Sequence, residues 1–383
     1  MRIAHFIVGR CNPDSANGVD KTVYYLSKAQ AKFGHIVAVF SLTDKAPKDI
    51  PGVLVKIYSP IRFPFRLPKS LFLDLYEWQP DLVHLHSVYT PPNVALASWL
   101  HKQGIPYVVT PHGGLSPYVL RRRWHLKAPY RLLFELPTLN RALFVHAVAD
   151  VENIKNYGVR VPIVTAPNGM DLTMIPTNLN KELLAHHFPQ VRGKRVFLFL
   201  GRLDPLHKGL DLLIEGFSLA QIEDASLVLV GPDWQGSRRA LETLSHELGI
   251  ASQVIFTGPV YGKEKFDFLA SADVFVHTSR WEAGVPFSVL EATAVAKPCL
   301  TTAAADPSAM LFRYEAGIIV ASEGRDIAKG LKQLAIMSTT DLQVIGERAR
   351  EMVKTEFSWR KTALILTEAY TTCKPRSDSA KLK

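Results

Sequence analysis

Two glutamates, Glu282 and Glu291, bracket the segment Ala283-Gly284-Val285-Pro286-Phe287-Ser288-Val289-Leu290. A carboxylate on a loop accepts paired hydrogen bonds from vicinal diols, such as those of a sugar or a ribose. Backbone N–H groups at a helix start receive anionic or hydroxyl-rich groups. The segment offers both features. Gly284-Val285-Pro286 reads as a turn, and Phe287 to Ala296 as a helix with Pro286 beside its first turn. Taken singly, Glu282 reads as a solvated loop residue and Glu291 as a helix-surface charge. Only the rest of the chain lowers the weight of that reading.

A second group is cationic. Gly201-Arg202-Leu203-Asp204-Pro205-Leu206-His207-Lys208-Gly209 follows an apolar strand and precedes a helix, a position that receives phosphate in α/β folds. Arg202 offers a bidentate fork and Lys208 a point charge, both suited to a pyrophosphate. Two solvated cations on an ordinary connecting loop is the other reading, and the spacing of a Walker loop is absent. Asn17-Gly18 stands at the matching place in the first half. It is either a plain turn or a loop whose backbone approaches a ligand, with Gly18 permitting unusual dihedrals. His112, in Thr110-Pro111-His112-Gly113-Gly114, follows a strand end and reads either as a ligand contact or as a structural histidine. His84 and His86 share one strand and are read as facing opposite sides, so they are not taken as a metal pair. The chain has no Asp-x-Asp and no metal-spaced cluster of His, Cys and carboxylates. No metal and no cofactor is therefore expected, and a nucleotide diphosphate would be neutralised by Arg202 and Lys208.

These residues need elements to hold them. Residues 1–172 alternate strand and helix patterns. The strands are Ile3–Val8, His35–Leu42, Val53–Tyr58, Leu82–His86, Tyr107–Thr110, Ala142–Val148 and Ile163–Ala166, and the helices include Gly18–Phe33, Pro68–Trp78, Val94–Gln103, Pro129–Asn140 and Val151–Tyr157. Residues 173–194, with several prolines and asparagines, read as a linker. The alternation restarts over 195–356. The run Ala272 to Thr278 before Glu282 reads as a buried parallel strand. A last helix spans 357–372, and 373–383 reads as a disordered basic tail. The pattern predicts an α/β chain of two Rossmann-like domains facing an interdomain cleft, the default ligand site.

Composition narrows the function. The 383 residues are 47% hydrophobic and 21% charged, ordinary for a globular protein. No apolar run approaches the roughly 18 residues of a membrane span. Ile3 to Val8 is too short for a signal peptide, which predicts a cytoplasmic protein. The three cysteines are scattered and suit a reducing compartment. A net charge of +10 suggests anionic partners, but no nucleic-acid-binding module is present, so nucleic acid is not expected.

Together the residues resemble the retaining family-four glycosyltransferases of GT-B fold (glycosyl transferases group 1). The matching segments, in order, are Asn17-Gly18, Gly34-His35-Ile36-Val37, Asp81 to His86, Thr110 to Gly113, Pro167 to Asp171, Gly201-Arg202-Leu203 with Lys208-Gly209, and Ser279 to Ala292. The resemblance implies transfer of a sugar from a nucleotide-diphosphate sugar donor to a glycan or lipid-linked acceptor, in cell-surface polysaccharide or lipopolysaccharide synthesis. It implies that Arg202 and Lys208 hold the donor diphosphate and stabilise the leaving group. Glu291 would bind the ribose, and Glu282 with the backbone from Gly284 through Val285 and Pro286 to Phe287 the donor sugar. His112 would stand by the reacting sugar, and Asn17 and Gly18 by the donor phosphates or the acceptor. The last helix would cross back to the first domain. Two departures stand out. Eight residues lie between Glu282 and Glu291 where the family usually has seven, and Asn17 replaces the first glycine of the usual Gly-Gly loop.

Three alternatives remain: a nucleotide-sugar epimerase, a glycan phosphorylase on the same fold, or a non-catalytic sugar-binding relative. The stretch Arg121-Arg122-Arg123-Trp124-His125-Leu126-Lys127, with Tyr130, Arg131 and Leu132 beyond, mixes cations with large apolar groups. It is either a solvated basic face or a peripheral contact with the anionic inner face of the cytoplasmic membrane.

Overall fold

A computed structural model describes residues 1–14, 17–45, 48–121, 123–149 and 153–373. Arg122, the start of the Val151–Tyr157 helix and residues 374–383 of the tail lie outside them. The chain forms two compact units, Met1–Gly169 with Trp359–Lys383, and Met170–Ser358.

The first unit is built on a seven-stranded parallel sheet. Its strands are β1 (Arg2–Ile7), β2 (Ile36–Leu42), β3 (Val53–Tyr58), β4 (Leu82–His86), β5 (Tyr107–Thr110), β6 (Val145–Ala147) and β7 (Ile163–Thr165), in the order β3-β2-β1-β4-β5-β6-β7. The order reverses between β1 and β4, the switch point at which such sheets bind ligands. Helices cover the sheet, so the central strands are buried on both faces. The first helix, Gly18–Lys32, begins at Asn17, whose Oδ1 accepts from the Val19 N–H at 3.1 Å. The residue that stands for the usual glycine is thus the helix cap, a role asparagine fills well. The last helix, Trp359–Thr372, packs on this first helix. Trp359 stacks on Tyr25 with centroids 5.8 Å apart, and Thr362 donates to the Pro167 carbonyl at 2.6 Å.

Two predicted details change in this unit. The single helix expected over Pro129–Asn140 is a helix Trp124–Tyr130, a π-helical turn Arg131–Glu135 and a short helix Leu136–Arg141. Pro129 removes a backbone donor inside the segment, which interrupts regular helix bonding. His84 and His86 face the same side of β4, with ring centroids 4.5 Å apart. Side chains alternate with period two along a strand, so residues two apart share a face, and the opposite-side reading was an error.

The second unit repeats the plan with six parallel strands: β8 (Arg195–Leu200), β9 (Ala225–Val230), β10 (Val254–Gly258), β11 (Val274–His277), β12 (Cys299–Thr302) and β13 (Gly317–Val320). Their order is β10-β9-β8-β11-β12-β13, with the reversal between β8 and β11. Phe197 and Phe199 pack on one side with Leu213 and Phe217, while Leu198 and Leu200 pack on the other with Val289 and Leu290. Residues 173–194, expected as a linker, supply buried Leu184 and Val191 to this core.

Candidate active site

In the second unit the polar cluster forms where β8 and β11 end. The turn after β8 carries Arg202, His207 and Lys208, and the turn after β11 carries Ser279 to Gly284. Several bonds fasten the two turns together. Thr278 donates to the carbonyls of Lys208 and Gly209 at 3.2 and 3.0 Å, and Arg280 makes a bidentate pair with Asp211 at 2.8 and 2.7 Å. Gly209 has φ +63°, and a Cβ there would stand 2.1 Å from the Thr278 carbonyl oxygen, so the approach requires glycine.

Glu282 is the centre of the cluster. Its Oε1 accepts from Lys208 Nζ at 2.5 Å, Ser279 Oγ at 2.7 Å and His277 Nε2 at 3.1 Å. Burial alone would push the Glu282 carboxyl up. Lys208 first, and then His277 and His207, outweigh it and hold the group well below the usual carboxylate range. His277 is fully buried and its pKa is lowered, chiefly by burial. His207 stacks flat on Trp281, centroids 3.7 Å apart, and burial followed by the Lys208 charge lowers it to about 4. The result is a fixed ammonium–carboxylate pair in a largely buried setting. Charge-assisted bonds of this kind hold their groups in place with little freedom.

Arg202 lies with its guanidinium 4.1 Å over the Trp234 ring and forms no ion pair among the described residues. Glu291 is on the helix Phe287–Ala294, buried, and paired with Lys265 at 2.8 Å. Gly284 is buried, while Val285, Pro286 and Phe287 are partly exposed. Pro286 caps that helix without a side-chain bond.

The first unit carries a different cluster. His112 follows β5 at φ +49°, a left-handed conformation that costs energy in a non-glycine residue. Its Nε2 is 3.0 Å from His86 Nδ1. Behind it are His5, His84 and His146, all buried. Burial lowers every one of these rings: His5 and His146 to about 4, His112 to about 3, and His84 and His86 well below the ordinary value. All five are neutral at pH 7. Gly18 opens the first helix, where its carbonyl accepts from Thr22 Oγ1 at 2.9 Å.

The predicted residues thus fall into two sets. Arg202, Lys208, Gly284, Val285, Pro286, Phe287, Glu282 and Glu291 belong to the second unit, and Asn17, Gly18 and His112 to the first. Lys208 and Glu282 are brought into contact, and Glu291 pairs with Lys265. Sequence reasoning missed His277 and Ser279 as partners of Glu282. Their signal was available, because a strand that ends in His-Thr-Ser before the glutamate delivers those side chains to the same corner.

Two family models match: Glycosyltransferase Family 4 over residues 16–174 and Glycosyl transferases group 1 over residues 182–352. A D-inositol 3-phosphate glycosyltransferase of Corynebacterium urealyticum is 26% identical over 396 residues, 93% of this chain and 90% of that protein. The namesake from Geodermatophilus obscurus is 32% identical over 186 residues, 46% of this chain and 40% of its own. This second alignment spans less than half of that relative's length. Among solved structures, Anabaena Alr3699/HepE in complex with UDP and glucose aligns with a TM-score of 0.78 at 20% identity, over 97% of this chain and 100% of that one.

Proposed function

We propose that this chain, which belongs to the family-four glycosyltransferases of GT-B fold, moves a sugar with retention from a nucleotide-diphosphate sugar to a glycan or lipid-linked acceptor. The observation that carries the reading is the largely buried Lys208–Glu282 pair where β8 and β11 end, with the Arg202 guanidinium nearby in sequence and unpaired by any carboxylate among the described residues. Breaking a glycosyl–phosphate bond builds charge on the leaving diphosphate, and preorganised cations stabilise that charge where it develops. Lys208 and Arg202 are assigned this role. Glu282 holds Lys208 in place and, with the backbone from Gly284 to Phe287, contacts the sugar. Glu291 takes the ribose, His112 a hydroxyl of the reacting sugar, and the Asn17-Gly18 turn the donor phosphates or the acceptor. Retention follows if the acceptor attacks from the face the phosphate leaves, with that phosphate taking its proton. No metal is required in this scheme.

Anabaena HepE, solved with UDP-glucose, supports a nucleotide-sugar donor by likeness of fold. The putative teichuronic acid biosynthesis glycosyltransferase TuaC of Bacillus subtilis, 26% identical over 302 residues, supports an acceptor of the cell-surface polysaccharide class. The decisive experiment is a thermal-shift screen against UDP-, GDP- and ADP-sugars with and without EDTA. A shift with one nucleotide class that survives EDTA and vanishes in the Arg202→Ala/Lys208→Ala variant is expected. Absence of any shift would favour a non-catalytic sugar-binding relative. Donor turnover without acceptor would favour an epimerase, and dependence on inorganic phosphate a phosphorylase.

No helix among the described residues is long and apolar enough to cross a membrane. The first unit nevertheless exposes Trp124, Leu126, Leu132 and Leu133 beside Arg121, Arg123 and Lys127. We assign this surface to peripheral contact with an anionic bilayer at the inner face of the cytoplasmic membrane, where a lipid-linked acceptor would be met. Sedimentation with anionic vesicles tests it.

A further inference from the structure

His112 is the outer end of a hydrogen-bond chain that runs through the interior of the first unit, and the inner end of that chain is a backbone carbonyl. His146 Nε2 lies 2.8 Å from the Ala166 oxygen, which can only accept, so the proton of this neutral ring is on Nε2 and its Nδ1 is bare. The Thr110 hydroxyl, 2.8 Å away, must therefore donate to His146 Nδ1. That leaves Thr110 Oγ1 to accept from His84 Nε2 at 2.6 Å. His84 Nδ1 is then bare and accepts from the Tyr370 hydroxyl at 3.0 Å. Tyr370 in turn accepts from the Gln30 amide nitrogen at 3.1 Å, which turns the Gln30 carbonyl oxygen towards His5 Nε2 at 2.6 Å. With His5 protonated on Nε2, its Nδ1 accepts from His86 Nε2 at 2.9 Å, and His86 Nδ1 accepts from His112 Nε2 at 3.0 Å. Each link leaves only one arrangement of protons for the next.

We infer that this chain locks His112 in the tautomer protonated on Nε2, with Nδ1 left as a bare acceptor for a hydroxyl of the bound sugar, and that Tyr370 and Gln30 are the positioning residues that set it. The inference rests on the reading of His112 as a sugar contact. Nδ1 has no hydrogen-bond partner among the described residues. The chain cannot conduct a proton away, because the Ala166 carbonyl has none to give and cannot hold one. Its effect is directional. A ring protonated on Nδ1 would present a donor and turn the same hydroxyl round, so the lock fixes which way the sugar hydroxyl points.

The cluster has a competing use. Ring nitrogens of His5, His84 and His86 lie within 4.8 Å of one another, close enough to suggest a metal site. Both nitrogens of each ring are already engaged, by Gln30, Tyr370, Thr110, His112 or one another. A metal would have to break several of these bonds in a fully buried region, so the structure favours the chain.

The test is long-range proton–nitrogen correlation on the full chain labelled with ¹⁵N-histidine, with His112 assigned by loss of its signals in His112→Gln. The wild type is expected to show a neutral His112 protonated on Nε2. Tyr370→Phe removes the hydroxyl that orients Gln30, so the amide can turn over and His112 becomes a tautomer mixture, with kcat/KM lower by roughly five- to tenfold, the worth of one ordinary hydrogen bond. Adding Gln30→Glu restores an obligate acceptor beside His5, as a carboxylate does for a catalytic imidazole, and both the single tautomer and the rate should return. A merely structural role predicts a double variant worse than the single one. A wild-type His112 protonated on Nδ1, an unchanged tautomer in Tyr370→Phe, or a stoichiometric zinc ion in the purified protein would each overturn the inference. If the tautomers behave as stated while kcat/KM stays constant, the lock stands and the assignment of His112 to the sugar fails instead.

Discussion

The two units share a parallel sheet and a switch point, yet they furnish those points in opposite ways. The second concentrates charge: Lys208 and Glu282 are ionised, largely buried and bonded to each other. The first concentrates neutral groups, five imidazoles threaded by a tyrosine, a threonine and a glutamine, and none of these side chains carries charge at pH 7. A buried ion pair supplies field, which suits the role proposed for Lys208 at a diphosphate. A neutral chain supplies orientation, because imidazole, hydroxyl and amide can each be made to donate or accept by their neighbours. One architecture thus serves both demands by changing which side chains reach the strand ends.

The largest expected effect tests the charged side. Lys208→Ala should lower kcat by about 10²–10³-fold, the usual loss when one preorganised stabiliser of developing charge is removed. Part of that loss could be a buried Glu282 left without its partner. The variant Lys208→Met with Glu282→Gln removes both charges, and removing both members of a buried pair costs far less stability than removing one. Recovery of thermal stability without recovery of activity is expected. Recovery of both would mean the pair is a structural element and would erase the contrast with the first unit.

Acid tests the neutral side. A histidine whose folded pKa is lowered binds more protons when unfolded, so stability is highest above the ordinary value near 6.5 and falls as pH drops towards the folded pKa. For His5, lowered to about 4, the loss across that window is roughly 3 kcal/mol. Glu282 has the same sign in a more acid window: its folded pKa is also lowered, so its contribution is full above the ordinary carboxylate range and is lost only as pH falls through and below that range. The first unit has five such buried rings, while the second has His207 and His277. Hydrogen exchange between pH 7 and 5 should show amides of the first sheet losing protection before those of the second. Equal loss in both would break the comparison.

The smallest effect concerns the surface. Leu132→Ser with Leu133→Ser should weaken sedimentation with anionic vesicles several-fold, with little change in stability because both side chains are already in water. Unchanged binding would remove the membrane assignment from the first unit.

Much of the fold was legible because parallel strands buried on both faces write themselves as apolar runs, and nearly every predicted strand is present. The position of the charged cluster was legible for a local reason. Lys208 and Glu282 lie in the connections that leave β8 and β11, and those two strand ends flank the switch point. What could not be read was non-local or depended on angle. The bond between Gln30 and Tyr370 joins residues 340 positions apart, with no sequence signal linking them. The short helix that buries Leu184 was hidden among prolines and asparagines that resemble a linker. The pairing of His84 with His86 was hidden by nothing, since a strict count of the strand period would have put them on one face.

The last helix has a consequence for the order in which the molecule is made. The first unit is discontinuous: its sheet is synthesised early, and the helix carrying Tyr370 only after the whole of Met170–Ser358. Until then Gln30 and His84 have no partner for the groups that Tyr370 will bind, 340 and 286 residues further along. On the inference drawn above, the tautomer of His112 is therefore set only once this last helix has docked. A nascent chain can hold a folded second unit and all seven strands of the first while the protons of its buried histidines are still unassigned.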